Sequence, residues 1–258
     1  MKLGRRRFLG MAAGAAALTT LPLQNLAADA AEIRVLSTNA IIPVTNDLFS
    51  QFERMTGNKL TVRYEFGPVL SREIEGGAEF DATLLSLDIA GLMKQGKIVE
   101  GTGRVLGRTG IGVGVREGAP KPDISTVEAF KRTLLDAKSV LYSGVGSSGV
   151  YFQSLLERLG IAEELKPKLR MSGGGRGAEI VAKGEAELVV IGVAVILLTP
   201  GVDLVGWLPA ELQSYVIFTA GVSASAKEPK AATALVDFLT TPGARAALKA
   251  KGIVPVTP

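Results

Sequence analysis

Short β-branched runs alternate with stretches of helical periodicity along almost the whole chain, and this alternation restricts the fold more than any other feature. Ile33-Arg34-Val35-Leu36 reads as a strand. Residues 44–55 follow as a helix, because Val44, Leu48, Phe52 and Met55 recur every three to four positions. Residues 60–66 alternate as a second strand, 69–76 form a short helical pattern, 80–85 a third strand and 89–94 another short helix. A βαβαβ order needs crossover connections, so it predicts a parallel sheet covered by helices.

A second series begins after the glycine-spaced strand at 110–115, which ends at Gly118-Ala119-Pro120. It comprises a helix at 126–135, a strand at 138–143, helices at 150–160 and 178–183, and a strand at 187–191. A late strand at 215–222 and closing helices at 229–239 and 244–250 complete the chain. The apolar run from Leu188 to Leu198 is too short to span a bilayer and reads as a buried strand with its continuation. The expected fold class is α/β with two lobes, residues 31–112 with 220–258 forming the first and 113–219 the second. Crossing strands near 110–116 and 215–223 would join them, although periodicity alone also permits one continuous sheet.

The N-terminus carries a separate message. Arg5-Arg6-Arg7-Phe8-Leu9-Gly10 precedes an apolar run from Met11 to Leu23, and Ala28-Asp29-Ala30 forms a small-residue exit. A charged start, short apolar core and small-x-small site describe a signal peptide over residues 1–30, and the paired arginines before Phe-Leu look like a twin-arginine export signal. The expected location is the periplasm. This segment holds four of the 29 basic residues and one of the 25 acidic residues, so the net charge of +4 is largely a property of the signal. No basic stripe is left for nucleic acid.

The chain has neither cysteine nor histidine. Thiolate chemistry, Ser-His-Asp triads and nearly all zinc or copper sites are thereby excluded, and neither cofactor nor metal is expected. Proton transfer would fall to Asp, Glu, Lys, Tyr or Arg.

Four strands end in small polar or glycine-rich turns: Ser37-Thr38-Asn39, Phe66-Gly67-Pro68, Ser143 to Gly149, and Ser172 to Gly177. Helix N-termini at such turns offer unpaired N–H groups to an anion, and ligands of open α/β sheets bind beyond the carboxyl ends of the strands. The candidate ligand residues are Ser37, Thr38, Asn39 and Gly67 from the first lobe, with Ser147, Ser148, Tyr151 and Arg176 from the second. Arg176 has the planar fork that clamps a carboxylate. No catalytic residue is assigned.

Phe52-Glu53, Leu70-Ser71-Arg72-Glu73-Ile74-Glu75 and Gly77-Ala78-Glu79-Phe80-Asp81 resemble the first lobe of periplasmic molybdate-binding proteins of ABC transporters. Gly149-Val150-Tyr151, Leu155-Leu156-Glu157-Arg158-Leu159-Gly160 and Lys183-Gly184-Glu185-Ala186-Glu187 resemble the second. The resemblance implies a type II periplasmic-binding fold that closes on its ligand by hinge motion, and a permease partner for a monomeric receptor. Where that family places hydroxyl-bearing ligand residues, this chain has Ala40, Phe66-Gly67-Pro68 and Gly192. A branch of the same family looks like aconitate isomerase, so the resemblance implies two function classes. One is a receptor for a small carboxylate or oxyanion; the other is an isomerase shifting a proton within a tricarboxylate.

Overall fold

The computed structural model describes residues 30–172 and 177–256. All but the last residue of the export signal expected at 1–30, and residues 173–176 of the glycine-rich turn, Arg176 included, lie outside the described residues.

The chain opens with β1 (Glu32–Thr38), α1 (Ile42–Thr56), β2 (Lys59–Glu65), α2 (Gly67–Glu75), β3 (Ala82–Leu85) and α3 (Ala90–Lys94), as the alternating pattern predicts. Next come β4 (Arg104–Arg116), α4 (Val127–Asp136), β5 (Val140–Ser143), α5 (Ser147–Arg158), α6 (Ala162–Leu165), β6 (Leu169–Ser172) and α7 (Gly177–Ala182). The chain closes with β7 (Leu188–Gly192), α8 (Val193–Leu198), β8 (Val202–Trp207), β9 (Tyr215–Val222), α9 (Pro229–Phe238) and α10 (Pro242–Ala250).

The strand order is β2-β1-β3-β9-β4-β7-β5-β6, with β8 paired to β4 off this path. β1 lies parallel to β2 and β3, and β5 lies parallel to β6 and β7, so each lobe has the expected parallel centre. Strands β9 and β4 join antiparallel between them. β4 is the principal connection. Its residues Arg104–Gly110 pair with β9, and from Ile111 onward it pairs with β7 and β8. The protein is thus bilobal around a mixed sheet, with parallel strands confined to the two centres.

Separate apolar cores hold the lobes. Val44, Leu48 and Phe52 of α1 pack on one face of β1, β3 and β9 together with Leu235 of α9 and Leu248 of α10. Leu70 and Ile74 of α2 pack with Leu36 and Leu85 on the opposite face. In the second lobe Phe130, Leu134, Phe152 and Leu155 cover Val113, Val140 and Val190, while Val181, Val189 and Ile196 form the other layer. At about 1.5–3 kcal/mol per fully buried large apolar side chain, these cores supply the main driving force without disulfides.

Several elements differ from the sequence pattern. The strand expected at 187–191 is β7, and its apolar continuation to Leu198 is a helix, α8, that begins at Val193. Gly192 has no side chain to cap this helix, and Thr109 of β4 supplies the cap instead, its Oγ1 accepting the Ala194 N–H at 3.1 Å. A tertiary contact therefore turns the chain, where local apolarity cannot separate a buried strand from a buried helix. β4 starts at Arg104, six residues before its glycine-spaced stretch, and α5 starts at Ser147, inside the turn that precedes the periodic run.

Candidate functional site

The C-terminal ends of β1, β2, β3, β5 and β7 converge on a cleft between the lobes. Asn39, Phe66, Ser86, Ser143, Gly146, Ser147, Ser148 and Gly192 line it at these strand ends. Thr109 of β4 and Val216 and Phe218 of β9 add residues from the crossing strands. Among the described lining residues none is Asp, Glu, Lys or Arg.

Each strand end turns into its helix for a local reason. Thr38 is extended and its Oγ1 accepts the Ala40 N–H at 3.3 Å, capping the short 3-10 turn that leads into α1. The same hydroxyl donates to Ser86 Oγ at 3.1 Å, tying the ends of β1 and β3 together. Gly67 is the first residue of α2, and Pro68 follows with its fixed φ and missing N–H, as suits a first helical turn. A Cβ at Gly67 would lie 2.4 Å from Ser86 Oγ, so only glycine admits Ser86 at this distance.

The turn from β5 to α5 is built the same way. Gly146 donates its N–H to Ser143 Oγ at 2.9 Å, and the Gly149 N–H donates to the Gly146 carbonyl at 2.9 Å. A Cβ at Gly149 would come within 1.5 Å of the Ser143 carbonyl oxygen, which fixes glycine there. The N–H groups of Ser147 and Ser148 find no partner among the described residues, as expected of the first positions of a helix. The Ser148 side chain is likewise unpartnered among the described residues, although the residue is only 7% exposed and lines the cleft.

The lobes touch directly at this point. Ser147 Oγ donates to the Ser86 carbonyl at 2.7 Å. Gly146 sits against Phe66, where an added Cβ would be 3.3 Å from Cδ1.

Of the residues singled out in the sequence, Asn39, Ser147 and Ser148 line the cleft. Thr38 and Gly67 stand directly behind the lining and position Ser86. Ser37 is fully buried in β1 with an unpartnered Oγ and is absent from the lining. Tyr151 is also absent from it, because one helical turn beyond Ser147 its hydroxyl points elsewhere and donates to the Leu212 carbonyl at 2.8 Å. Arg176 lies outside the described residues.

Sequence reasoning missed Ser86, Thr109, Ile191, Val195, Val216 and Phe218. Ser86 follows β3 just as Thr38 ends β1, and the same strand-end rule identifies it. Thr109, Val216 and Phe218 carry no local signal, since they enter the cleft only because β4 and β9 run between the lobes.

The family model for bacterial extracellular solute-binding proteins matches residues 33–254. The chain belongs to this family. This solute-binding protein is 31% identical over 256 residues to an aconitate isomerase of Pseudomonas sp, covering 95% of this chain and 96% of that protein. It is also 31% identical over 245 residues to a molybdate-binding protein of Azotobacter vinelandii, covering 88% of this chain and 91% of that one. Among solved structures, the periplasmic molybdate-binding protein of Azotobacter vinelandii superposes with a TM-score of 0.72 at 18% identity, covering 87% of this chain and all of that one. The expected type II periplasmic-binding fold is therefore the observed one.

Proposed function

We propose that this protein is an exported receptor that captures a small anion in the interlobe cleft and delivers it, as a monomer, to the permease of an ABC transporter. The observation that carries this reading is the uncharged lining, in which serine hydroxyls and the unpaired N–H groups opening α5 converge while no described lining residue can act as acid or base. Such a site holds an anion with neutral donors and a helix dipole, and it releases the ligand unchanged. This reading expects the signal at 1–30 to be removed and the mature chain to work in the periplasm. The lobes 31–112 with 220–258 and 113–219 close about β4 and β9. Both carboxylates and oxyanions fall within this reading, in keeping with the two kinds of relative.

A thermal-shift screen of the mature protein against molybdate, sulfate, phosphate and mono-, di- and tricarboxylates tests it. A ligand at a hundredfold excess over its dissociation constant contributes about 2.7 kcal/mol, which for a chain of this size raises the melting temperature by roughly 5–10 °C. No shift with any anion would reject the receptor reading.

The second reading is an isomerase, favoured by the 31% identity to aconitate isomerase across 95% of this chain. It requires a titratable side chain against the substrate. Following cis- and trans-aconitate by proton NMR in the presence of the protein decides between the two. Turnover would assign the enzyme, and binding without turnover the receptor.

A further inference from the structure

The cleft offers only neutral donors among its described residues, and much of its remaining surface is hydrocarbon. Ser147 commits its hydroxyl to the Ser86 carbonyl, Ser143 Oγ accepts from Gly146, and Thr109 Oγ1 accepts from Ala194. The donors still available are the Ser148 hydroxyl, the N–H groups of Ser147 and Ser148, the hydroxyl protons of Ser86, Ser143 and Thr109, and the Asn39 amide. Facing them are Phe66, Ile191, Val195, Val216 and Phe218.

We infer that the ligand is a small monocarboxylate with an apolar body, its carboxylate held at Ser86 and the start of α5 and its hydrocarbon laid against Phe66, Ile191, Val195, Val216 and Phe218. The inference rests on the anion-receptor reading and specifies the class of anion. Two independent features support it: Ser148, buried and unpartnered at the α5 terminus, and the apolar surface drawn from β7, α8 and β9.

A carboxylate's two oxygens offer about four lone-pair sites, which these donors can fill. A tetrahedral oxyanion carries polar oxygens on every side and leaves the phenylalanine and valine surface without an apolar partner. Charge argues the same way. A helix terminus amounts to roughly half an elementary charge, and no described lining residue is cationic, so a single negative charge is better matched than two or three. The hydrocarbon surface in turn rewards a ligand that leaves its apolar body out of water. Gly192 keeps that part of the cleft open, since a Cβ there would make only ordinary contact, 3.4 Å from Thr109 Cγ2.

Calorimetry on the mature protein with acetate, isovalerate, benzoate, molybdate, sulfate, citrate and trans-aconitate tests the inference. Isovalerate or benzoate should bind at least about tenfold more tightly than acetate, since each buried methylene adds to affinity, and more tightly than every fully polar anion. Ser148→Ala should weaken acetate and isovalerate alike, by roughly tenfold or more, through loss of a hydrogen bond to a charged group. Val195→Thr, nearly isosteric, should weaken isovalerate several-fold more than it weakens acetate. Tighter binding of molybdate, sulfate, citrate or trans-aconitate would overturn this assignment and leave anion capture standing. Binding of none of these by the unaltered protein would remove both.

Discussion

Ser147 of the second lobe donates its hydroxyl to the carbonyl of Ser86 in the first, at 2.7 Å, inside the cleft itself. The bond makes the α5 terminus both a wall of the site and a clasp between the lobes, so occupancy and closure share the same few residues. Ser86 is the common point. It accepts from Thr38 through its hydroxyl and from Ser147 through its carbonyl, and it fills the space that the missing side chain of Gly67 leaves free.

Ser147→Ala should therefore loosen the closed state. A typical intramolecular hydrogen bond contributes about 1 kcal/mol net, which corresponds to a roughly fivefold shift of a two-state equilibrium. The chain has no cysteine, so a pair introduced at the exposed Lys94 and Lys166 carries spin labels at defined positions, one on each lobe. Pulsed dipolar spectroscopy should show the longer, open distance gaining about fivefold in population in the Ser147→Ala protein. Identical distance distributions would show that the bond does not hold the lobes together.

The packing of Ser86 on Gly67 gives a second expectation. In Gly67→Ala the new methyl would start 2.4 Å from Ser86 Oγ and 3.1 Å from its backbone N, so the β3 end must shift. A cost of about 1–3 kcal/mol is typical of such overpacking, read by urea unfolding, and ligand affinity should fall with it. Adding Ser86→Ala removes the closer contact and should recover part of the stability while leaving the loss of affinity. Strictly additive effects would mean that the two residues do not meet as described.

Much of this architecture is legible in the sequence because the parallel strands are short, β-branched and separated by amphipathic helices, as at Ile33–Leu36 followed by Val44, Leu48 and Phe52. The strand-end rule also leads to Asn39, Ser147 and Ser148, since a small polar residue before a helix does the same work wherever it occurs. It fails where a tertiary partner decides the outcome. Gly192 becomes a helix start only because Thr109, far away in sequence, caps the next turn. Tyr151 looks like a cleft residue by its nearness to Ser147, yet it lies one turn further along α5, where its hydroxyl is held by the Leu212 carbonyl. The apolar surface of Val216 and Phe218 is indistinguishable in sequence from core, and it borders the cleft only because the crossing strands pass between the lobes.

Far from the cleft, Asp81 supplies the last prediction, one of pH. Its carboxylate is fully buried at the start of β3. It accepts from Arg34 Nε at 2.9 Å and from the backbone N–H groups of Arg34 at 2.8 Å and Lys227 at 2.6 Å, joining β1, β3 and the segment that opens α9. Burial alone would raise its pKa, but the Arg34 guanidinium and these N–H groups outweigh burial and hold it down to about 2. A carboxyl depressed in the folded state contributes stability at pH values above its unfolded value near 3.8, and loses it as pH falls toward about 2. At 1.36 kcal/mol per unit, the contribution at neutral pH is on the order of 2 kcal/mol. Asp81→Asn should thus lower the unfolding free energy at pH 7 by about that much, since Arg34 keeps only the exposed Glu79 as its charged partner, and should flatten the acid limb of the stability curve between about pH 4 and pH 2. Guanidinium titrations of both proteins across that range read the difference directly. Parallel acid limbs would show that the Arg34–Asp81 pair carries no proton linkage and that the β1–β3 junction depends on its apolar layers alone.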